Sequence, residues 1–178
     1  MPKKIICSKC DKVLPPFATT SNPKRIYHIC SECEANLTRQ IKGPAVDSYL
    51  ESIGSSALVL NHDLRVISYN QKCLQQLCNN HPKPIGLLTG EFLDCKNSSL
   101  PERCGATPAC LDCAIRRTAS DTLKTHRSQK YVPALIEGKH GEQWVRRDFT
   151  ISTDKLGDMV QVTVDNLITY TEPFTAHS

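Results

Sequence analysis

Hydrophobic positions change period twice along this chain. After a break at Gly43-Pro44, Ala45, Val46, Tyr49, Leu50 and Ile53 recur at helical spacing. That spacing predicts a helix and places a domain boundary near Gly43. From Ser55 to Asn70 the period shortens. The apolar run Ala57 to Leu60, a turn at Asn61-His62-Asp63, and Val66 to Tyr69 predict a β-hairpin. Asn70 then stands where a helix N-cap belongs, before QKCLQQLC. Residues 79–120 are punctuated by Pro82, Pro84, Gly86, Gly90, Pro101, Gly105 and Pro108, which suit short helices and loops. A last helix is expected from about Leu111 to Ser120, with Ala114, Ile115 and Thr118 on one side. Three strands follow: Lys130 to Glu137, ended by Gly138; Gln143 to Ser152; and Met159 to Asn166. In the second, Trp144, Arg146, Asp148 and Thr150 alternate with Val145, Arg147, Phe149 and Ile151. The predicted order is β-β-α-α-α-β-β-β, without a long repeat.

A composition of 39% hydrophobic and 22% charged residues belongs to a chain that folds. No apolar run approaches the ~20 residues of a membrane-spanning helix. The start, MPKKIICSKC, lacks the apolar stretch of a secretion signal, so the expected location is cytoplasmic. Phosphate-binding glycine loops, H-E-x-x-H and G-x-S-x-G are all missing, and the expectation is a protein that is not an enzyme.

The ten cysteines change the picture. In a reducing compartment such thiols serve metals more often than disulfides. Cys7, Cys10, Cys30 and Cys33 are spaced C-x2-C-x19-C-x2-C, two knuckles that together supply a tetrahedron of sulfurs. The segment is too short to build its own core, so zinc is expected to supply its folding energy. A rubredoxin-like iron is the alternative. Lys9, Lys12, Lys24 and Arg25 lie nearby; a solvated surface is favoured over a nucleic-acid contact. Cys95, Cys104, Cys110 and Cys113 form a second set, C-x8-C-x5-C-x2-C. Three readings stay open for it: an iron–sulfur cluster, a second structural zinc, or reversible thiol chemistry at Cys110 and Cys113. Arg103, Arg116 and Arg117 flank these thiols. Four thiolates on a divalent ion leave roughly two negative charges, so two such sites cancel the formal charge of +4. Bulk charge therefore gives nucleic-acid binding little support. Cys73 and Cys78, five apart on a predicted helix, are expected to be buried small hydrophobes.

ALVLNHDLRVISYNQKCLQQL is similar to the opening hairpin of a PAS domain, and VQVTVDNLITYTE resembles its closing strand. The resemblance covers about residues 45–172. The segment D-C-K-N-x3-P-E-R-C-G-x4-C-x2-C resembles the cysteine-bearing PAS domains of prokaryotic signalling proteins, some of which hold an oxygen-labile iron–sulfur cluster. The resemblance implies an α+β fold: a PAS-like five-stranded antiparallel sheet with helices on one face, here preceded by a small zinc-ribbon unit. The expected organisation is a four-cysteine ribbon over 1–40, a helical linker over 41–54, a PAS-like sensor over 55–172 and a tail over 173–178. The implied function is redox or oxygen sensing without catalysis, passed to a signalling protein such as a histidine kinase or transcription regulator. Dimerisation is expected through Val46, Tyr49, Leu50 and Ile53, whose apolar stripe has no obvious cover. Trp144 is expected in the core or on a dimer surface. The competing reading is an interaction or transcription-cofactor module with two structural zincs. A weaker one is a thiol-redox enzyme at Cys110 and Cys113.

Overall fold

A computed structural model of the chain describes residues 5–6, 10, 12–14, 32, 44–78, 81, 84–140 and 143–171. Near the N-terminus two short strands, β1 (Ile5–Ile6) and β2 (Val13–Leu14), pair antiparallel. Helix α1 (Pro44–Glu51) leads into the hairpin β3 (Ser56–Leu60) and β4 (Val66–Tyr69). Helices α2 (Gln71–Leu77), α3 (Thr89–Phe92) and α4 (Ala114–Thr125) follow, with 3-10 turns at Lys96–Ser99 and Pro108–Cys110. Strands β5 (Gln129–His140), β6 (Gln143–Leu156) and β7 (Met159–Tyr170) close the described chain. β3 to β7 form one antiparallel sheet in the order β4-β3-β7-β6-β5.

The hairpin and its cap form as the sequence predicts. Asn61 Oδ1 accepts from the backbone of Asp63 (3.0 Å) and Arg65 (2.9 Å), which closes the turn locally. Asn70 Oδ1 accepts from Cys73 N (2.9 Å), capping α2, and from Ala57 N (3.0 Å) on β3. Its amide donates to Leu50 O (3.1 Å) and Ser55 O (2.9 Å), so one buried side chain joins α1, β3 and α2.

One face of the sheet is covered by helices, and over β3 and β4 the other face is covered too. Its inner face packs Leu58, Leu60, Phe149, Ile151 and Val162 against Cys73, Leu77, Phe92, Ile115 and Ala119 of the helices. On the other face Ala57, Val59 and Ile67 lie under Leu50, with Val46 and Ile53 beside them. β3 is therefore buried on both sides, which is why it is a continuous apolar run without alternation. The apolar stripe of α1 thus has its cover inside the chain. Leu50 is fully buried and only Tyr49 remains half exposed, so this stripe is not the free dimerisation surface expected of it.

Two boundaries also move. α4 begins at Ala114, because Pro108–Cys110 is a separate 3-10 turn and Cys113 occupies the N-cap position. Strand β5 passes through Gly138. A Cβ there would sit 1.9 Å from Asp94 O, so this glycine marks a close crossing of backbones and not a strand end.

Candidate metal centre

Cys95, Cys104, Cys110 and Cys113 line one cavity of about 80 Å³, room for more than a single water-sized group. Leu64, Leu88, Leu93, Ile115 and Ile136 supply apolar walls. Three pieces of local structure deliver the thiols. Cys95 follows α3 and caps the Lys96–Ser99 turn. Cys110 ends the Pro108–Cys110 turn. Cys113 sits at the N-cap position of α4.

Backbone and side-chain contacts fix the loop. Cys95 N donates to Gly90 O (2.8 Å), and the Cys95 carbonyl accepts from Ser98 N (2.9 Å) and Ser98 Oγ (2.6 Å). A backbone bridge pairs Cys95 with Gly138, and Lys96 is ion-paired to Glu137 on the same strand. Glu91 is fully buried; it accepts from Arg103 Nη2 (2.7 Å) and from Leu88 N (3.0 Å). That pair anchors the segment carrying Cys104. Gly90 gives Cys104 its space: a Cβ at position 90 would lie 2.7 Å from Cys104 Sγ and 3.5 Å from Cys95 Cβ.

The thiols differ in character. Burial pushes the Cys104 thiol up to about 12, and burial also raises that of Cys95. At Cys110 burial pushes upward too, but donors outweigh it and the net shift is downward. Thr107 Oγ1 lies 3.1 Å and Gly105 N 3.2 Å from its sulfur, and the Arg116 guanidinium adds attraction. The Cys95 and Cys104 thiols also respond to Cys110 and Cys113, as expected for charges facing one cavity. All four donors are thiols, which fits zinc or an iron–sulfur cluster and no hard cation. Among the described residues, no three His, Cys, Asp or Glu side chains stand close enough together to hold one metal ion.

Cys73 and Cys78 stand apart from this cavity, in the apolar core as expected. Burial raises both thiols. Cys78 is the residue at which α2 ends in extended backbone, which brings the two cysteines into one cluster despite their five-residue offset. His81 lies 3.2 Å from Asp94 and His126 closes α4; among the described residues, no histidine lines the cavity. Of the N-terminal set, Cys10 is exposed, whereas Cys7, Cys30 and Cys33 lie outside the described residues.

Sequence reasoning singled out the thiols and missed their supports. Thr107 was legible, since Thr-Pro-x-Cys places a hydroxyl one turn before Cys110 with Pro in the first turn. Gly90, Glu91 and Gly138 carry no such local signal.

No family model matches the chain, and no curated protein matches it. Among solved structures it is similar to the E. coli DhaR(N)–DhaL complex, with 14% identity and a TM-score of 0.42. The similarity covers 74% of this chain and 37% of that one, so the chain spans well under two thirds of its neighbour. No helix among the described residues is long and apolar enough to cross a membrane.

Proposed function

We propose that the chain is a cytoplasmic sensor whose PAS-like domain holds a four-thiolate, oxygen- or redox-responsive metal group at Cys95, Cys104, Cys110 and Cys113. One observation carries the reading: four cysteines spread over 19 positions line a single cavity. The hairpin, the helices and the three closing strands in that order support the PAS-like part. Four sulfurs around one zinc, each about 2.3 Å from it, crowd to within ~4 Å of one another. The resemblance to cysteine-bearing PAS domains favours an iron–sulfur cluster in this cavity, and a second zinc is the competing occupant. When bound, such a cluster supplies a centre whose integrity depends on oxygen and electron supply.

The chain's own residues then do three things. Cys110, held between Thr107 and Gly105, favours the thiolate form. Leu88, Leu93 and Ile115 restrict water. Cys95 and Lys96 tie the loop to β5, so a change in the loop reaches the sheet. A partner protein reading that change completes the proposed role, and the N-terminal ribbon keeps zinc as a structural element.

Single substitutions test it. Cys95→Ser, Cys104→Ser, Cys110→Ser and Cys113→Ser, each purified without oxygen, are expected to lose the same metal complement while retaining one zinc. Cys73→Ser and Cys78→Ser are expected to keep it. Retention of full metal content in any two of the first four contradicts the proposal.

A further inference from the structure

Arg147 is the largest fully buried side chain among the described residues, and nothing in the proposed sensing uses it. It stands on the inner face of β6, in step with Val145, Phe149 and Ile151. Its terminal nitrogens donate to backbone carbonyls: Nη1 to Leu77 O (3.1 Å), where α2 ends, and Nη2 to Leu93 O, just after α3. Its Nε is buried without an acceptor among the described residues. No described carboxylate forms an ion pair with it. Asp94 attracts it from farther away and makes its own 3.2 Å contact with His81. A buried cation without a close counter-charge is among the costliest groups a core can hold, and an apolar side chain of similar volume packs there at less cost.

The position explains the charge. Ile136, the β5 partner of Arg147, and Leu93, which accepts from its Nη2, are both walls of the cavity lined by Cys95, Cys104, Cys110 and Cys113. The guanidinium thus backs onto the cavity wall from the core side, and Cys95 is one of the groups whose charge it feels. We infer that Arg147 is the internal counter-charge of the four-thiolate centre, a positioning residue that favours the loaded, anionic form of the site. The role rests on the centre proposed above. Without metal, burial raises the thiols of Cys95 and Cys104, so Arg147 meets little negative charge beyond Asp94. Four thiolates on a divalent ion leave roughly two negative charges, and in a buried setting their pull on a nearby cation is stronger than in water. Arginine keeps its proton under such burial. An added electron makes an iron–sulfur centre more negative still, so the same cation raises its reduction potential.

The test compares the full chain with Arg147→Gln, which keeps an amide donor and loses the charge, and with Arg147→Lys, which keeps a cation. Chelator competition is expected to show the second site holding its metal about tenfold or more weakly in Arg147→Gln, and within about threefold of wild type in Arg147→Lys. A redox titration of an iron–sulfur centre is expected to place the Arg147→Gln midpoint ~60 mV lower, the same tenfold in a one-electron couple. Metal-free Arg147→Gln is expected to unfold in urea within about 0.5 M of the wild-type midpoint, because the empty fold does not need the charge. Equal metal affinity in wild type and Arg147→Gln overturns the inference and leaves the four-thiolate centre standing. An Arg147→Gln chain that loses its metal-free fold, or an Arg147→Lys chain as weak for metal as Arg147→Gln, also overturns it, since the arginine is then a clasp on two helix ends. A wild type that binds no metal at Cys95, Cys104, Cys110 and Cys113 removes the centre itself, and the inference with it.

Discussion

Gly90→Ala separates folding from metal binding. By helix propensity alone, alanine in α3 gains up to ~1 kcal/mol over glycine. The new Cβ would stand 2.7 Å from Cys104 Sγ, about 1 Å inside the ~3.5–4.0 Å of an unstrained contact. A sulfur is the free end of a short side chain, so in the metal-free protein it rotates away at small cost. The expected change in unfolding free energy is within about 1 kcal/mol of zero. A sulfur held on a metal has no such freedom, and the variant must give up Cys104 as a ligand. Structural four-ligand sites bind with ~10–16 kcal/mol, or roughly 3 kcal/mol per ligand, which converts to about 100-fold in affinity. Chelator competition on the loaded protein reads that affinity, and urea unfolding of the metal-free protein reads stability. An unchanged affinity refutes the reasoning, and so does a stability loss as large as the affinity loss.

Gly138→Ala meets a backbone carbonyl, Asp94 O at 1.9 Å, which cannot rotate away; urea unfolding is expected to show a loss of ~3 kcal/mol, metal present or not. Glu91→Leu removes the buried acceptor of Arg103 Nη2 and Leu88 N. A loss of ~2–3 kcal/mol is expected in the same assay, with a weaker hold on metal because Cys104 follows Arg103. At Asp154 burial pushes the carboxyl up, but Lys130 and Ser128 outweigh it and the net shift is downward. A depressed folded value contributes stability above the unfolded value of ~3.9 and loses it as pH falls through the folded one. Asp154→Asn is therefore expected to flatten the Tm profile below about pH 4, and an unaltered acid slope contradicts that.

Local chemistry was legible in the sequence and long-range packing was not. Asn70 announced its helix because a cap acts within three residues, and alternation on β6 put Val145, Phe149 and Ile151 on the buried face. The same alternation placed Arg147 there. Its guanidinium is buried, with Nη1 donating to Leu77 O (3.1 Å) and Nη2 to Leu93 O. Those carbonyls end two helices far earlier in the chain, so no window on the sequence shows why an arginine is tolerated in the core. Gly138 was misread for the same reason, since its neighbour is Asp94. The stripe of α1 was visible, but its cover, Ala57, Val59 and Ile67, depends on which face of β3 and β4 the helix crosses. At the candidate metal centre, spacing identified four thiols. The cavity, the Gly90 gap and the Glu91–Arg103 anchor come from the tertiary fold.

The decisive measurement is iron, sulfide and zinc content, together with a visible spectrum, on the full chain purified without oxygen. An iron–sulfur cluster at the second site predicts iron and sulfide in equal amounts beside one zinc, and a broad visible absorption that bleaches in air. Two zincs in a colourless protein that is indifferent to air contradict it.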